Sequence, residues 1–147
     1  MSNQKEPVCF DREEFDRWMA QSRQTLDSAR VDAEHGFYNW ACFKAQQAAE
    51  YALKAVLYGL GSPAAGHSIL MLADLLKRAE VSLPEDLLTD ARALDRHYIP
   101  PRYPDAYPSG SPFQFYDKPT ATGALEASER MASFAEKIRD GATGAQG

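Results

Sequence analysis

The chain predicts an all-α fold, an antiparallel up-and-down four-helix bundle whose third helical element is broken near Val81–Pro84. Three observations lead there. Apolar residues recur at steps of three and four over long stretches, the pattern of a helix with one buried face. No stretch of useful length alternates apolar and polar residues as a half-buried strand does. Glycine and proline fall between the periodic stretches, where helices must stop.

The first helix opens at Asp11, whose side chain suits the cap, with Glu14 three residues on in a capping-box arrangement. Phe15, Trp18, Met19, Ser22, Leu26, Ala29 and Ala33 then form its buried stripe. Gly36 breaks the chain, and a second helix follows from Phe37 to Leu60 with Trp40, Ala41, Phe43, Ala48, Ala52, Leu53, Val56 and Leu57 as its apolar set. Gly61 suits a left-handed position after a helix end, and Pro63 blocks continuation. A third stretch, Ser68 to Ala79, carries Ile69, Met71, Leu72, Leu75 and Leu76 and reads as largely buried. Ser82 and Glu85 repeat the capping-box pattern around Pro84 and open a helix holding Leu87, Leu88, Ala91, Leu94 and Tyr98. Six of the nine prolines lie between Pro100 and Pro119, interleaved with Tyr103, Tyr107, Phe113, Phe115 and Tyr116. So many aromatics predict an ordered loop packed on the bundle. The last helix spans Thr120 to Arg139. The domain plan is therefore an N-terminal extension over 1–10, a helical bundle over 11–139 and a disordered tail over 140–147.

At 147 residues the chain has the size of one domain with a real core. Its 44% hydrophobic and 25% charged residues are those of a globular protein rather than a disordered one. No apolar run approaches the ~20 residues of a membrane helix, and the opening MSNQKEPVCFDREEF has no apolar signal core. The expectation is a cytoplasmic protein that does not enter a membrane. Cys9 and Cys42 are too few for a disulfide framework or a thiolate zinc site, and His35, His67 and His97 lack paired ligand spacing, so neither metal nor cofactor is expected. A net charge of −5 argues against a broad basic surface for nucleic acid; any such contact must be local.

Gln46, Glu50 and Lys54 sit four apart and line up on one face of the second helix, with Gln47 and Tyr51 one row over. Periodicity leaves two readings open: a solvated stripe with a Glu50–Lys54 pair, or one wall of a polar groove. A second cluster lies between Arg92 and Tyr103, where three arginines and His97 face a single aspartate. An anion finds its best site there, with Tyr98 or Tyr103 for stacking. The plainer alternatives are a His97 set on the final carbonyls of its helix and an Arg102–Asp105 ion pair that fixes the proline-rich loop.

The string Phe43, Gln46, Gln47, Ala48, Glu50, Leu53, Lys54 and Ala55, followed by His67, Tyr98 and Arg102-Tyr103-Pro104-Asp105, resembles the HEPN domain family over Trp18 to Ile138. The resemblance implies a four-helix bundle, a homodimer, and a short bacterial or archaeal protein paired with a small nucleotidyltransferase as a toxin and antitoxin module. It also implies nucleotide or phosphate binding, for which Gln46, Gln47, Glu50, Lys54, Arg102 and Tyr103 are the candidate residues. Many members of the family are metal-independent ribonucleases that use an Arg and a His four to six residues apart, and Arg92 with His97 meets that spacing. In such a pair Arg stabilises charge on the scissile phosphate while His moves the proton of the attacking 2′-hydroxyl. On one helix, however, five residues turn the two side chains apart by roughly 140°. A third reading is a bundle that serves only dimerisation or protein interaction.

Overall fold

The computed structural model describes residues 9–146, with side chains described as far as Ala142. Most of the expected N-terminal extension lies outside them. Among the described residues the fold is all-helical, with five α-helices and no strand: α1 (Arg12–Glu34), α2 (Tyr38–Gly59), α3 (Ile69–Arg78), α4 (Glu85–Asp95) and α5 (Lys118–Gln146). Two short 3-10 turns, Pro104–Ala106 and Pro112–Phe115, lie in the proline-rich loop. None of these helices is long and apolar enough to cross a membrane.

The α2 sequence explains its central place. Ala41, Ala45, Ala48, Ala49, Ala52 and Ala55 are all buried, and such small side chains let neighbouring helices approach from several sides. Both α1 and α5 pack on it, and α3 and α4 close the remaining side. Cross-helix bonds fix directions. Ser22 donates to the Ala48 carbonyl at 2.6 Å, Lys44 meets Asp32 at 2.7 Å, and Trp18 lies against Tyr58, so α1 and α2 run antiparallel. Asp16 meets Arg139 while Arg30 meets Glu129, so α1 and α5 are antiparallel too. Phe15, Leu26, Leu53, Leu57, Leu72, Leu76, Leu94 and Met131 fill the space between.

Local signals decide the helix ends, with corrections. Asp11 caps α1 by accepting from the Glu14 amide at 3.0 Å, but the reciprocal half of the box does not form because Glu14 is held by Arg17 and the Trp18 indole. Gly61 takes the left-handed conformation, φ +75°, as its place after α2 predicts. Gly59 serves another purpose: Phe10 lies on it so closely that a Cβ there would sit 2.4 Å from the ring. The Ser82–Glu85 capping box is absent. Pro84 is the N-cap residue of α4 without a side-chain bond, its extended backbone leaving Ser82 outside the first turn. The break at Val81–Pro84 makes α3 and α4 separate helices, and α5 continues past the expected end at Arg139, through Asp140 to Gln146.

The expected burial of α3 holds for one face only: Ile69, Leu72, Ala73 and Leu76 are buried, whereas Met71 is 65% exposed. Trp40, expected in the apolar set of α2, also points outward, 43% exposed, while Asn39 and Ala41 on either side of it are buried. The proline-rich loop is ordered and packed. Asn39 donates to the Pro101 carbonyl at 3.0 Å, Pro101 and Pro112 are buried, and the Tyr107 and Phe115 rings stack with centroids 4.2 Å apart.

Neighbouring residues on α3 test this register. Leu72→Ala is expected to lower the unfolding free energy by about 2–5 kcal/mol, while Met71→Ala stays within ~0.5 kcal/mol. Denaturant titration checks both, and equal losses would contradict the placement of α3.

Candidate ligand-binding site

The row on α2 is neither solvated nor open. Gln46 is fully buried, Glu50 is 2% exposed and Lys54 is 9% exposed. A carboxylate withdrawn from water to that degree must be paired and hydrogen-bonded. Lys54 donates to one oxygen of Glu50 at 3.2 Å, and the Nδ1 of His67 lies 3.2 Å from the other. Gln46 donates its amide to the His67 carbonyl at 2.7 Å, and the half-buried Gln47 donates to the Gln46 side-chain oxygen. The row therefore grips His67, two positions before α3, rather than lining a groove.

The other grip comes from the last residue of α4. The Asp95 carboxylate accepts from the Ser68 hydroxyl at 2.9 Å and from the amides of Ile69 at 2.8 Å and Leu70 at 3.0 Å, while Ser68 itself caps the Met71 amide. A carboxylate on the free amides of a helix N-terminus satisfies donors that have no partner inside the helix and complements its dipole. This tie brings the end of α4, and with it Tyr98, beside His67. The His67 and Tyr98 rings stack 5.1 Å apart at 15°.

Tyr98 also carries the arginine. The Arg102 guanidinium lies 4.7 Å from the Tyr98 ring, 4.3 Å from the Phe43 ring and 4.9 Å from the Tyr103 ring. Its Nε donates to the Tyr98 carbonyl at 2.8 Å, and Nη1 lies 3.4 Å from the Tyr103 hydroxyl. Cation–π contact holds it in place without neutralising its charge. The Arg102–Asp105 ion pair does not form: among the described residues Arg102 has no carboxylate partner. Trp40 extends the aromatic surface, edge-on to Phe43 at 6.4 Å. The assembly is thus a charge-uncompensated guanidinium on aromatic rings, beside an oriented and exposed imidazole.

Arg92 and His97 have separate surroundings. Arg92 is half exposed, lies 3.7 Å from Glu85, and lines a cleft between α3 and α4 with Leu70, Lys77 and Leu88. His97 is half-buried against Tyr116, its Nδ1 3.4 Å from that hydroxyl. Burial lowers its pKa, and neighbouring Arg96 lowers it further. The neutral ring therefore belongs to packing rather than to the helix carbonyls as a cation. Burial raises the Tyr116 phenol, as does its hydrogen bond with Tyr107, and burial pushes the Cys42 thiol up to about 12.

Sequence reasoning placed Glu50, Lys54, Tyr98, Arg102 and Tyr103 in play and named His67 only as part of the family string. It missed Asp95, whose partners lie more than twenty positions earlier and leave no local pattern. It counted Phe43 as core, although that ring supports Arg102.

The fold is an all-helical bundle with a buried polar row on α2 and an arginine held on aromatic rings, and comparison with known proteins gives its family. The HEPN domain matches residues 15–139, and the chain belongs to that family. Three solved structures are similar to it. TT1696 from Thermus thermophilus is 43% identical with a TM-score of 0.78, over 84% of this chain and 96% of the other. ST0689, an archaeal HEPN homologue, is 33% identical with a TM-score of 0.73, over 84% and 96%. A HEPN domain protein from Thermotoga maritima, tm0613, is 37% identical with a TM-score of 0.70, over 84% and 98%. Among curated proteins nothing matches.

The buried pair gives a direct test of the site's foundation. Glu50→Ala leaves the Lys54 ammonium buried without its partner and is expected to lower the unfolding free energy by about 3–5 kcal/mol. Replacing both, Glu50→Leu with Lys54→Met, is expected to recover most of that loss in the same urea titration. A single variant as stable as wild type would contradict the burial of the pair.

Proposed function

We propose that this HEPN domain is a binding module for a nucleotide or another phosphate-bearing ligand, held where Arg102, Tyr98 and His67 meet. The observation that carries this reading is the Arg102 guanidinium, fixed on three rings yet lacking any acidic partner among the described residues. A guanidinium presents planar donors that match phosphate oxygens, and the rings around it offer flat surfaces for a base. Tyr103, 45% exposed, and Trp40 are the stacking surfaces open to a ligand. Gln46, Gln47, Glu50 and Lys54 serve the ligand through His67, which they hold in place.

The wider assignment follows the family resemblance. The domain acts as a cytoplasmic homodimer with a nucleotidyltransferase-family partner, in a toxin and antitoxin pair, and α3 with α4 counts as the broken third member of a four-helix bundle. RNA cleavage by Arg92 and His97 draws less support, since one faces the α3–α4 cleft and the other Tyr116.

Calorimetric titration with AMP, ADP and ATP tests the binding reading. Losing one charged hydrogen-bonding group removes about 1.5–3 kcal/mol, so Arg102→Ala is expected to bind roughly ten- to a hundredfold more weakly than wild type. Wild type that binds none of the three, or an Arg102→Ala protein that binds as tightly, would overturn it.

A further inference from the structure

His67 is held at four points. Its carbonyl accepts from Gln46, the residues that follow it are tied to Asp95, its ring stacks on Tyr98, and its Nδ1 faces Glu50. The last contact fixes the ring's chemistry. An ionised carboxylate only accepts hydrogen bonds, so the nitrogen facing Glu50 carries the hydrogen, and in a neutral imidazole the other nitrogen is then a bare acceptor. Turning the ring over would strip a buried carboxylate oxygen of its donor, which is costly. The free nitrogen, Nε2, has no partner among the described residues, and the side chain is 60% exposed.

The site therefore sets an acceptor beside an anion receptor, since His67 and Arg102 both pack on Tyr98. Phosphate oxygens are themselves acceptors and have nothing to give Nε2. In a nucleotide, the donors nearest the phosphate are the hydroxyls of the ribose. We infer that His67 selects a ribose hydroxyl through Nε2, so that the ligand of this site is a nucleotide that keeps a free hydroxyl on its sugar ring. The inference rests on the nucleotide-binding reading above. Its physical basis is that a site built to bond a hydroxyl rejects an analogue lacking it, because the protein group is left unpaired.

The experiment is calorimetry in mildly alkaline buffer. It compares AMP with 2′,3′-dideoxyadenosine 5′-monophosphate. Wild type is expected to bind AMP at least about tenfold more tightly. His67→Ala is expected to bind the two alike, having lost the preference for AMP. His67→Phe keeps a ring on Tyr98 without an acceptor, and it too is expected to lose the preference. Circular dichroism confirms that each variant is folded. Wild type that binds both nucleotides equally, or variants that keep the preference, would overturn the inference while leaving nucleotide binding intact. Wild type that binds neither removes the binding reading and this inference together.

Discussion

A carboxylate drawn out of water must be met by a cation or by hydrogen-bond donors, and Glu50 on α2 is met by both. Its two oxygens divide the work. One pairs with Lys54 a turn further along the same helix, which keeps the charge tolerable in a nearly dry setting. The other reaches out to His67 and so carries the order of the core to the surface. Coulombic gain alone does not justify such a pair, because an apolar pair of similar size is often as stable. What Glu50 adds is orientation, and the position of His67, Tyr98 and Arg102 depends on it.

The scaffold makes that orientation rigid. The alanines of α2 bring α1, α5, α3 and α4 close around it, so the polar row sits within a packed interior rather than on a flexible rim. Asp95 then links the end of α4 to the start of α3, and Asn39 links the start of α2 to Pro101. The proline-rich loop is thereby held at both its base and its stacked aromatics, and Arg102 enters the ring cluster from a backbone with little freedom. A binding group set in this way loses little entropy when a ligand arrives.

Helix existence was legible because spacing and punctuation are local: Phe15, Leu26, Leu53, Leu72 and Met131 recur at helical steps, and Gly36, Gly61 and the prolines mark the ends. The family was legible too, from the polar row, His67 and the Arg102 string. Burial of that row was not. A helix face reading Gln, Glu, Lys has the pattern of a wet surface, and the partners that satisfy it in the interior, Lys54 for Glu50 and His67 for Glu50 and Gln46, include a residue from a distant loop. Asp95 capping a distant helix and Phe43 beneath Arg102 are tertiary facts with no sequence period. Conversely, the Arg92 and His97 spacing was conspicuous in the sequence, yet the two side chains meet different neighbours.

The central claim is that buried Glu50 fixes one face of an exposed imidazole. Nitrogen-15 NMR of the imidazole ring of His67, in mildly alkaline buffer, tests it most directly. The expected result is a single neutral tautomer with hydrogen on Nδ1 and a bare Nε2, and loss of that bias when Glu50→Leu is combined with Lys54→Met, which removes the acceptor. A wild-type ring that carries its hydrogen on Nε2, or that averages between the two forms as a free imidazole does, would contradict it.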